Sequence, residues 1–186
     1  MGARMAAEFA RSGAMLLPGF LDPDFCRMIE PIWRSAEFVR TPAPRVGERL
    51  LESPGRAGDG LTLALQRPEL HRWLETVTGC GPLDDAQGHI ARHDGSCEQA
   101  LEWHDDRSDQ RRRLAITINL DDRPYDGGIF ELRARDGGRP MFRHVHAMVG
   151  EALVFEVSRR MEHRLTPVTN GGPRTVFAGW FLETNR

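Results

Sequence analysis

Arg113-Leu114-Ala115-Ile116-Thr117-Ile118-Asn119-Leu120 alternates, with Leu114, Ile116, Ile118 and Leu120 on one face and Ala115, Thr117 and Asn119 on the other. A period of two is the signature of a half-buried strand, because successive side chains point to opposite faces of a sheet. The same texture extends on both sides. Gln87–His93 precedes it as a candidate strand, and Ile129–Arg133, Met141–Met148, Ala152–Val157, His163–Val168 and Thr175–Leu182 follow. Between them lie the turn signals Asp126-Gly127-Gly128, Asp136-Gly137-Gly138, Gly150 and Asn170-Gly171-Gly172-Pro173. About eight short strands at this spacing predict an all-β jelly roll, a double-stranded β-helix. Small-molecule sites sit in the mouth of such a fold.

The front of the chain reads differently. Ala3–Ser12 has helical spacing, and Gly13 breaks it before a short apolar run, Ala14–Phe20, that predicts a strand. Asp22 is a good N-cap and Pro23 suits a first helical turn. Phe25, Cys26, Ile29, Ile32 and Trp33 then recur at helical spacing, with Pro31 expected to kink or split the helix. Residues 41–60 are rich in proline, glycine and charge and predict a long loop at the entrance of the site. Leu61–Thr78 resumes a helical pattern, in which Pro68 begins a second half, and Gly79-Cys80-Gly81-Pro82 ends it. The expectation is one domain over 1–186, mainly β with N-terminal helices. Residues 1–86 give helical support and the entrance loop, and residues 87–186 the double-stranded β-helix core.

Composition excludes several classes. The 186 residues carry a net charge of −2, which implies neither nucleic acid nor an anionic membrane as partner. No apolar run approaches a membrane span, and the N-terminal apolar stretch is too short for a signal peptide. Three cysteines, Cys26, Cys80 and Cys97, form no paired spacing, which fits a reducing, cytoplasmic setting. Every basic residue is arginine; without lysine, Schiff-base chemistry is ruled out. The sequence is silent on oligomeric state.

The chemistry gathers around Trp103-His104-Asp105-Asp106, His163 and Arg174. In extended backbone His104 and Asp106, at i and i+2, share one face of a strand. With His163 they make two imidazoles and one carboxylate, the facial set that holds non-haem Fe(II) and leaves positions open for O2 and a co-substrate. Structural zinc closes its fourth position, and no fourth ligand is adjacent. Arg174 shares a strand face with Val176, Ala178 and Trp180, so its guanidinium projects into the same cavity, where it can hold a carboxylate bidentately.

These residues carry a family resemblance. From about Ile90 to Phe181 the chain resembles the 2-oxoglutarate/Fe(II)-dependent dioxygenases, in particular their prolyl-4-hydroxylase-like branch. The matching features are His104-x-Asp106, Asp126-Gly127-Gly128-x-Phe130-Glu131-Leu132, Gly150 before Ala152-Leu153-Val154-Phe155, His163 with Pro167-Val168, and Arg174 through Trp180-Phe181. The resemblance implies that His104, Asp106 and His163 ligate iron, that Arg174 anchors 2-oxoglutarate, and that O2 is a co-substrate with ascorbate as reductant. The implied reaction hydroxylates an unactivated C–H of a small molecule, amino acid or peptidyl side chain, with decarboxylation of 2-oxoglutarate to succinate and CO2. Two departures stand out. Relatives often carry a tyrosine where this chain has Arg92-His93-Asp94-Gly95, and another tyrosine or polar group near Asn119. The single tyrosine, Tyr125, is read as a turn residue, so Asn119 and Thr117 are the candidate replacements for the missing co-substrate contacts.

A rival reading uses His144-x-His146, a second pair with the same face-sharing property, in a cupin-like metal-binding module (an isomerase-type enzyme or ligand sensor) without oxygenase activity. No carboxylate at suitable spacing completes that pair, which favours packed or solvated histidines. His71 and His89 are read as structural, His93 as either a structural histidine or one lining the mouth, and Trp103 and Trp180 as core or pocket wall; Arg107 with Arg111-Arg112-Arg113 is read as a solvated loop, with recognition of an acidic substrate or partner as the alternative.

Overall fold

The computed structural model describes residues 2–43, 46–94 and 101–184; Cys97 and the Gly95 of the tyrosine-replacing stretch lie outside them. In chain order the elements are α1 (Gly2–Ser12), β1 (Ala14–Leu17), α2 (Pro23–Arg34), β2 (Glu37–Ala43), β3 (Gly47–Ser53), α3 (Arg56–Leu65) and α4 (Pro68–Thr78). Then come β4 (Leu83–His93), β5 (Leu101–His104), β6 (Arg112–Asn119), β7 (Tyr125–Gly127), β8 (Phe130–Ala134) and β9 (Phe142–His144). The chain ends with β10 (Ala152–Glu156), β11 (Met161–Leu165), β12 (Val168–Gly171) and β13 (Arg174–Glu183).

Eleven strands join in one antiparallel sheet that wraps nearly into a barrel, in the order β1-β10-β6-β13-β4-β3-β5-β11-β8-β9, with β2 on the free side of β3. The two walls are stitched between β3 and β5 by the pair Gly47 and Leu101. A two-stranded sheet of β7 and β12 closes one end. This is the jelly-roll core expected from the alternation, with helices in front.

The two faces of β6 explain where everything else sits. Leu114, Ile116, Ile118 and Leu120 pack outward with Phe9, Trp33, Leu61 and Leu74 of the helices in one buried cluster. Ala115 faces inward with Phe130, Leu132, Phe155 and Trp180 in a second. The helices therefore cover the outside of one wall and leave the interior between the walls free for a site.

Three sequence expectations change. Most of the described residues in 41–60 are not a loop: β2 and β3 form a hairpin in register from Glu37–Ser53 to Ala43–Gly47, and α3 starts at Arg56. Pro42 is tolerated because β2 is an edge strand with no neighbour on its far side. The glycine-rich start of α3 is held by Glu52, whose carboxylate accepts from the Ala57 and Gly58 N–H groups, both at 2.9 Å. A side chain at Gly58 would meet the Ile90 backbone nitrogen at 3.2 Å, so glycine lets the helix lie on β4. Next, α2 runs unbroken through Pro31, which lies on the exposed side one turn from the helix end and removes a single hydrogen bond. Asp22 caps α2 as expected, accepting from Asp24 N–H at 2.8 Å. Last, the helical pattern read from Leu61 starts earlier, at Arg56, while Pro68 begins the second helix as expected.

Candidate metal centre

Antiparallel pairing of β5 and β11 sets His104 directly opposite His163, with ring centroids 4.1 Å apart. Strand β5 ends at His104, and Asp106 adopts φ 54°, the one positive φ at a non-glycine residue among the described residues. The left-handed region costs roughly 1–3 kcal/mol and is tolerated best by Asp and Asn. The extended-strand reading of His104-x-Asp106 is thus corrected: a turn, not strand alternation, swings the carboxylate back between the imidazoles. Asp106 Oδ1 lies 3.3 Å from His104 Nε2, and Oδ2 lies 3.4 Å from His163 Nε2. Those separations are long for hydrogen bonds. They suit ligands sharing one ion, since bonds of about 2.1 Å give ligand–ligand edges of about 3.0–3.4 Å.

Outer contacts fix the donors. His104 Nδ1 donates to the Glu102 carbonyl at 2.6 Å, which leaves Nε2 as a lone pair facing the carboxylate. Trp180 Nε1 donates to Asp106 Oδ2 at 2.8 Å, and Arg112, stacked over the Trp180 ring, donates to the Asp106 carbonyl at 3.1 Å. Burial works to raise the Asp106 pKa, but the neighbouring His163 and His104 imidazoles outweigh it and hold the carboxyl well below its ordinary value. Trp180 is therefore more than a wall. Replacing it with Phe is expected to weaken metal binding about 10–100-fold, read by competition with a chelator. The signal was present in the sequence, since Trp180 shares a face of β13 with Arg174.

The cluster opens on a cavity lined among others by Arg49, His89, His93, Thr117, Arg174 and Trp180. Arg174 is 3 % exposed and its Nε has no partner. A buried guanidinium without an anion is costly, and burial lowers its pKa against the opposing influence of Tyr125. Tyr125 is not a turn residue: β7 pairs with β12 and brings its hydroxyl toward the Arg174 guanidinium. Gly128, at φ 58°, lets this happen, because a Cβ there would meet the Tyr125 ring at 2.8 Å and Arg174 Cδ at 3.1 Å. His93, the register partner of Arg174, is buried with both ring nitrogens unpartnered.

The two proposed co-substrate contacts diverge. Thr117 lines the cavity, and its hydroxyl is 3.0 Å from His146 Nε2. Asn119 is buried on the same face of β6, but its amide donates to the Asp121 and Met148 carbonyls and does not border the cavity. Three of the arginines after Asp106 have side-chain partners as well. Arg111 pairs with Asp109 and Arg113 with Glu183, while Arg112 reaches Ser108 and Asp106.

A carboxylate does complete the second histidine pair. Strand β9 ends at His144, and Glu151 Oε1 accepts from His144 Nε2 at 2.7 Å and His146 Nδ1 at 2.9 Å. Both triads bring their donor atoms close enough for one ion. The separations in the second are hydrogen-bond lengths, shorter than the edges around a metal. Burial raises the Glu151 pKa, but its two imidazole partners prevail and bring it down to about 2; His146, lowered chiefly by burial, sits at about 4. Glu151 is thus an anion that accepts a hydrogen bond from the Nδ1–H of His146, and His146 Nε2 in turn accepts from the Thr117 hydroxyl.

Buried imidazoles near the cavity set an acid limit. Burial, reinforced by Arg49 and Arg112, lowers His89 to about 4; burial, with Arg174 and Arg49, lowers His93 to about 3. Below the unfolded value of 6.5 the unfolded chain takes up protons that the folded chain refuses. Stability of the metal-free protein should therefore fall as pH drops from 6.5 toward 4, by up to about 1.4 kcal/mol per pH unit for each histidine. Urea denaturation at several pH values checks this.

Fold and donor set together suit a mononuclear metal enzyme. The family model described as 2OG-Fe(II) oxygenase superfamily matches residues 88–182, just over half of the chain, and the chain belongs to that superfamily of oxidoreductases. Solved structures share the fold. A Pseudomonas putida prolyl-4-hydroxylase is 23% identical, with both chains covered in full and a TM-score of 0.71. A 2OG-Fe(II) oxygenase-family oxidoreductase from Burkholderia pseudomallei is 19% identical over all of this chain and 92% of that one, TM-score 0.73. The non-haem α-ketoglutarate-dependent epimerase SnoN from nogalamycin biosynthesis is 17% identical over 98% of this chain and 82% of that one, TM-score 0.70. No curated protein sequence matches the chain. Among the described residues no helix is long and apolar enough to cross a membrane.

Proposed function

We propose that this chain is an Fe(II)- and 2-oxoglutarate-dependent hydroxylase acting on an unactivated C–H of a small molecule, amino acid or peptidyl side chain. The observation that carries the reading is the convergence on one cavity of His104, Asp106 and His163 with the buried Arg174 guanidinium, whose Nε is unpartnered and which has no carboxylate partner among the described residues. Both groups fit the residues present. The two-histidine, one-carboxylate donor set suits Fe(II) and leaves positions for exogenous ligands, and the orphaned Arg174 suits the far carboxylate of a diacid. Bound iron, 2-oxoglutarate and O2 supply the oxidising power for hydroxylation, with succinate and CO2 as co-products and ascorbate as reductant.

The protein's own contribution is placement. Glu102, Trp180 and Arg112 orient the ligands. Neutral His93 beside Arg174, with Tyr125 opposite, offers donors to the same carboxylate, and Thr117 borders it. Asn119 supports this floor from behind through its bonds to Asp121 and Met148. Apolar Phe130, Phe155 and Leu165 exclude water around the imidazoles. We place the protein in the cytoplasm on its cysteine usage, Cys26 and Cys80 both being free.

The test is incubation with Fe(II), ascorbate, O2 and 2-oxoglutarate, followed by assay for succinate. Slow succinate formation without any prime substrate is expected; none from metal-loaded protein would count against the assignment. A product screen should look for gain of one oxygen and also for mass-neutral change, because one structural neighbour is an epimerase. The cupin-like alternative requires instead that Arg174→Ala leave ligand binding intact.

A further inference from the structure

We propose that Arg49 is the receptor for a carboxylate on the prime substrate, so that the molecule oxidised here is an organic acid. The inference rests on the functional reading above and narrows its substrate class.

Arg49 is carried by the β2–β3 hairpin. The pairs Leu50–Arg92 and Leu51–Ala91 continue, one step on, to Arg49 beside His93, and His93 is in turn paired with Arg174. Arg49, His93 and Arg174 thus form one row across β3, β4 and β13, with the two arginine backbones about 10 Å apart at normal strand spacing. All three line the cavity. The Nε of Arg49 is buried without a hydrogen-bond partner, and among the described residues no carboxylate lies within ion-pair distance of it. Burial lowers its pKa, and Asp106 is the one charge that counters this.

Charge shows why the co-substrate does not satisfy it. A divalent metal and Arg174 bring three positive charges; Asp106 and the 2-oxoglutarate dianion bring three negative ones. The loaded site is neutral before Arg49 is counted. On the functional reading above, 2-oxoglutarate would have one end at the metal and the other at Arg174, so neither end would reach a guanidinium two strands away. Arg164, another arginine at the cavity, is already paired with Glu131. Arg112, whose Nε is also unpartnered and whose hydrogen bonds go to the neutral Ser108 hydroxyl and Asp106 carbonyl, does not line the cavity. Among the arginines that line the cavity, Arg49 is therefore the surplus cation, carried by the β2–β3 hairpin. A single surplus charge on a forked donor matches one carboxylate.

The experiment is isothermal titration of anaerobic wild-type protein loaded with Fe(II) and 2-oxoglutarate. The probes are free L-amino acids, N-acetyl-L-amino acids and short-chain carboxylic acids, each against its methyl ester. At least one acid should bind at least tenfold more tightly than its ester. Arg49→Gln should bring that acid down to the level of the ester while 2-oxoglutarate affinity stays within twofold, which also reports an intact fold. Three results overturn the proposal: acid and ester binding alike, no acid binding at all, or Arg49→Gln weakening 2-oxoglutarate tenfold. Succinate formation without acid preference would remove the Arg49 assignment alone; absence of succinate from wild type would remove the oxygenase reading first.

Discussion

Arg174→Gln should lose 2-oxoglutarate binding by roughly 30- to 5000-fold, the effect of about 2–5 kcal/mol expected when one partner of a buried charge pair is removed. The argument comes from the burial of the guanidinium. It is 3 % exposed, its Nε is unpartnered, and the nearest polar side chains, Tyr125 and His93, are uncharged. Isothermal titration of anaerobic Fe(II)-loaded protein reads the loss, and metal content should not change. A second readout separates binding from folding. Removing a buried cation that lacks an anion relieves a desolvation cost, so the ligand-free variant should melt at the same temperature as wild type or higher. A lysine is not expected to rescue binding, because an ammonium lacks the forked geometry. A variant that binds 2-oxoglutarate within threefold of wild type would show that the co-substrate sits elsewhere.

The second large effect is expected at the metal. His163→Ala should cost more than hundredfold in Fe(II) affinity, beyond the about 10–100-fold that loss of an outer-shell partner causes. Among the described residues His163 is one of three donors in this cluster, and it is locked there by Phe130 and Phe155, with ring centroids at 5.8 and 4.6 Å. His163→Gln, which keeps more of the packing, guards against a trivial loss of fold. The control is His146→Ala, in the second triad, which should retain one Fe(II) per chain after dialysis. Donor spacing decides between the clusters. The 3.3–3.4 Å gaps around Asp106 leave room for an ion, whereas the 2.7–2.9 Å contacts of Glu151 are already closed by protons.

The β core was legible because its information is local. The alternation of Leu114 to Leu120 assigns each side chain to a face, and those faces are the helix-packed exterior and the interior of the structure. The same rule placed Arg174 and Trp180 on one side of β13. What escaped depends on contacts distant in sequence. The hairpin at 37–53 was masked by Pro42 and by glycines beyond it, and only the edge position of β2 makes that composition compatible with a strand. Glu151 looked unrelated to His144 and His146 because the loop after β9 folds back, which spacing along the chain does not encode. Tyr125 gained its place beside Arg174 through β7–β12 pairing and the missing side chain of Gly128. At Asp106 the local rule gave the right partners by the wrong route, since a left-handed residue replaced an extended one. Strain of that kind belongs to a site whose surroundings over-determine it.

The most direct test is an anaerobic crystal structure with Fe(II) and 2-oxoglutarate. The expected result is one ion about 2.0–2.2 Å from the donor atoms of His104, Asp106 and His163, with the far carboxylate of 2-oxoglutarate paired to Arg174. An ion held by His144, His146 and Glu151 instead, or a carboxylate bound away from Arg174, would contradict it.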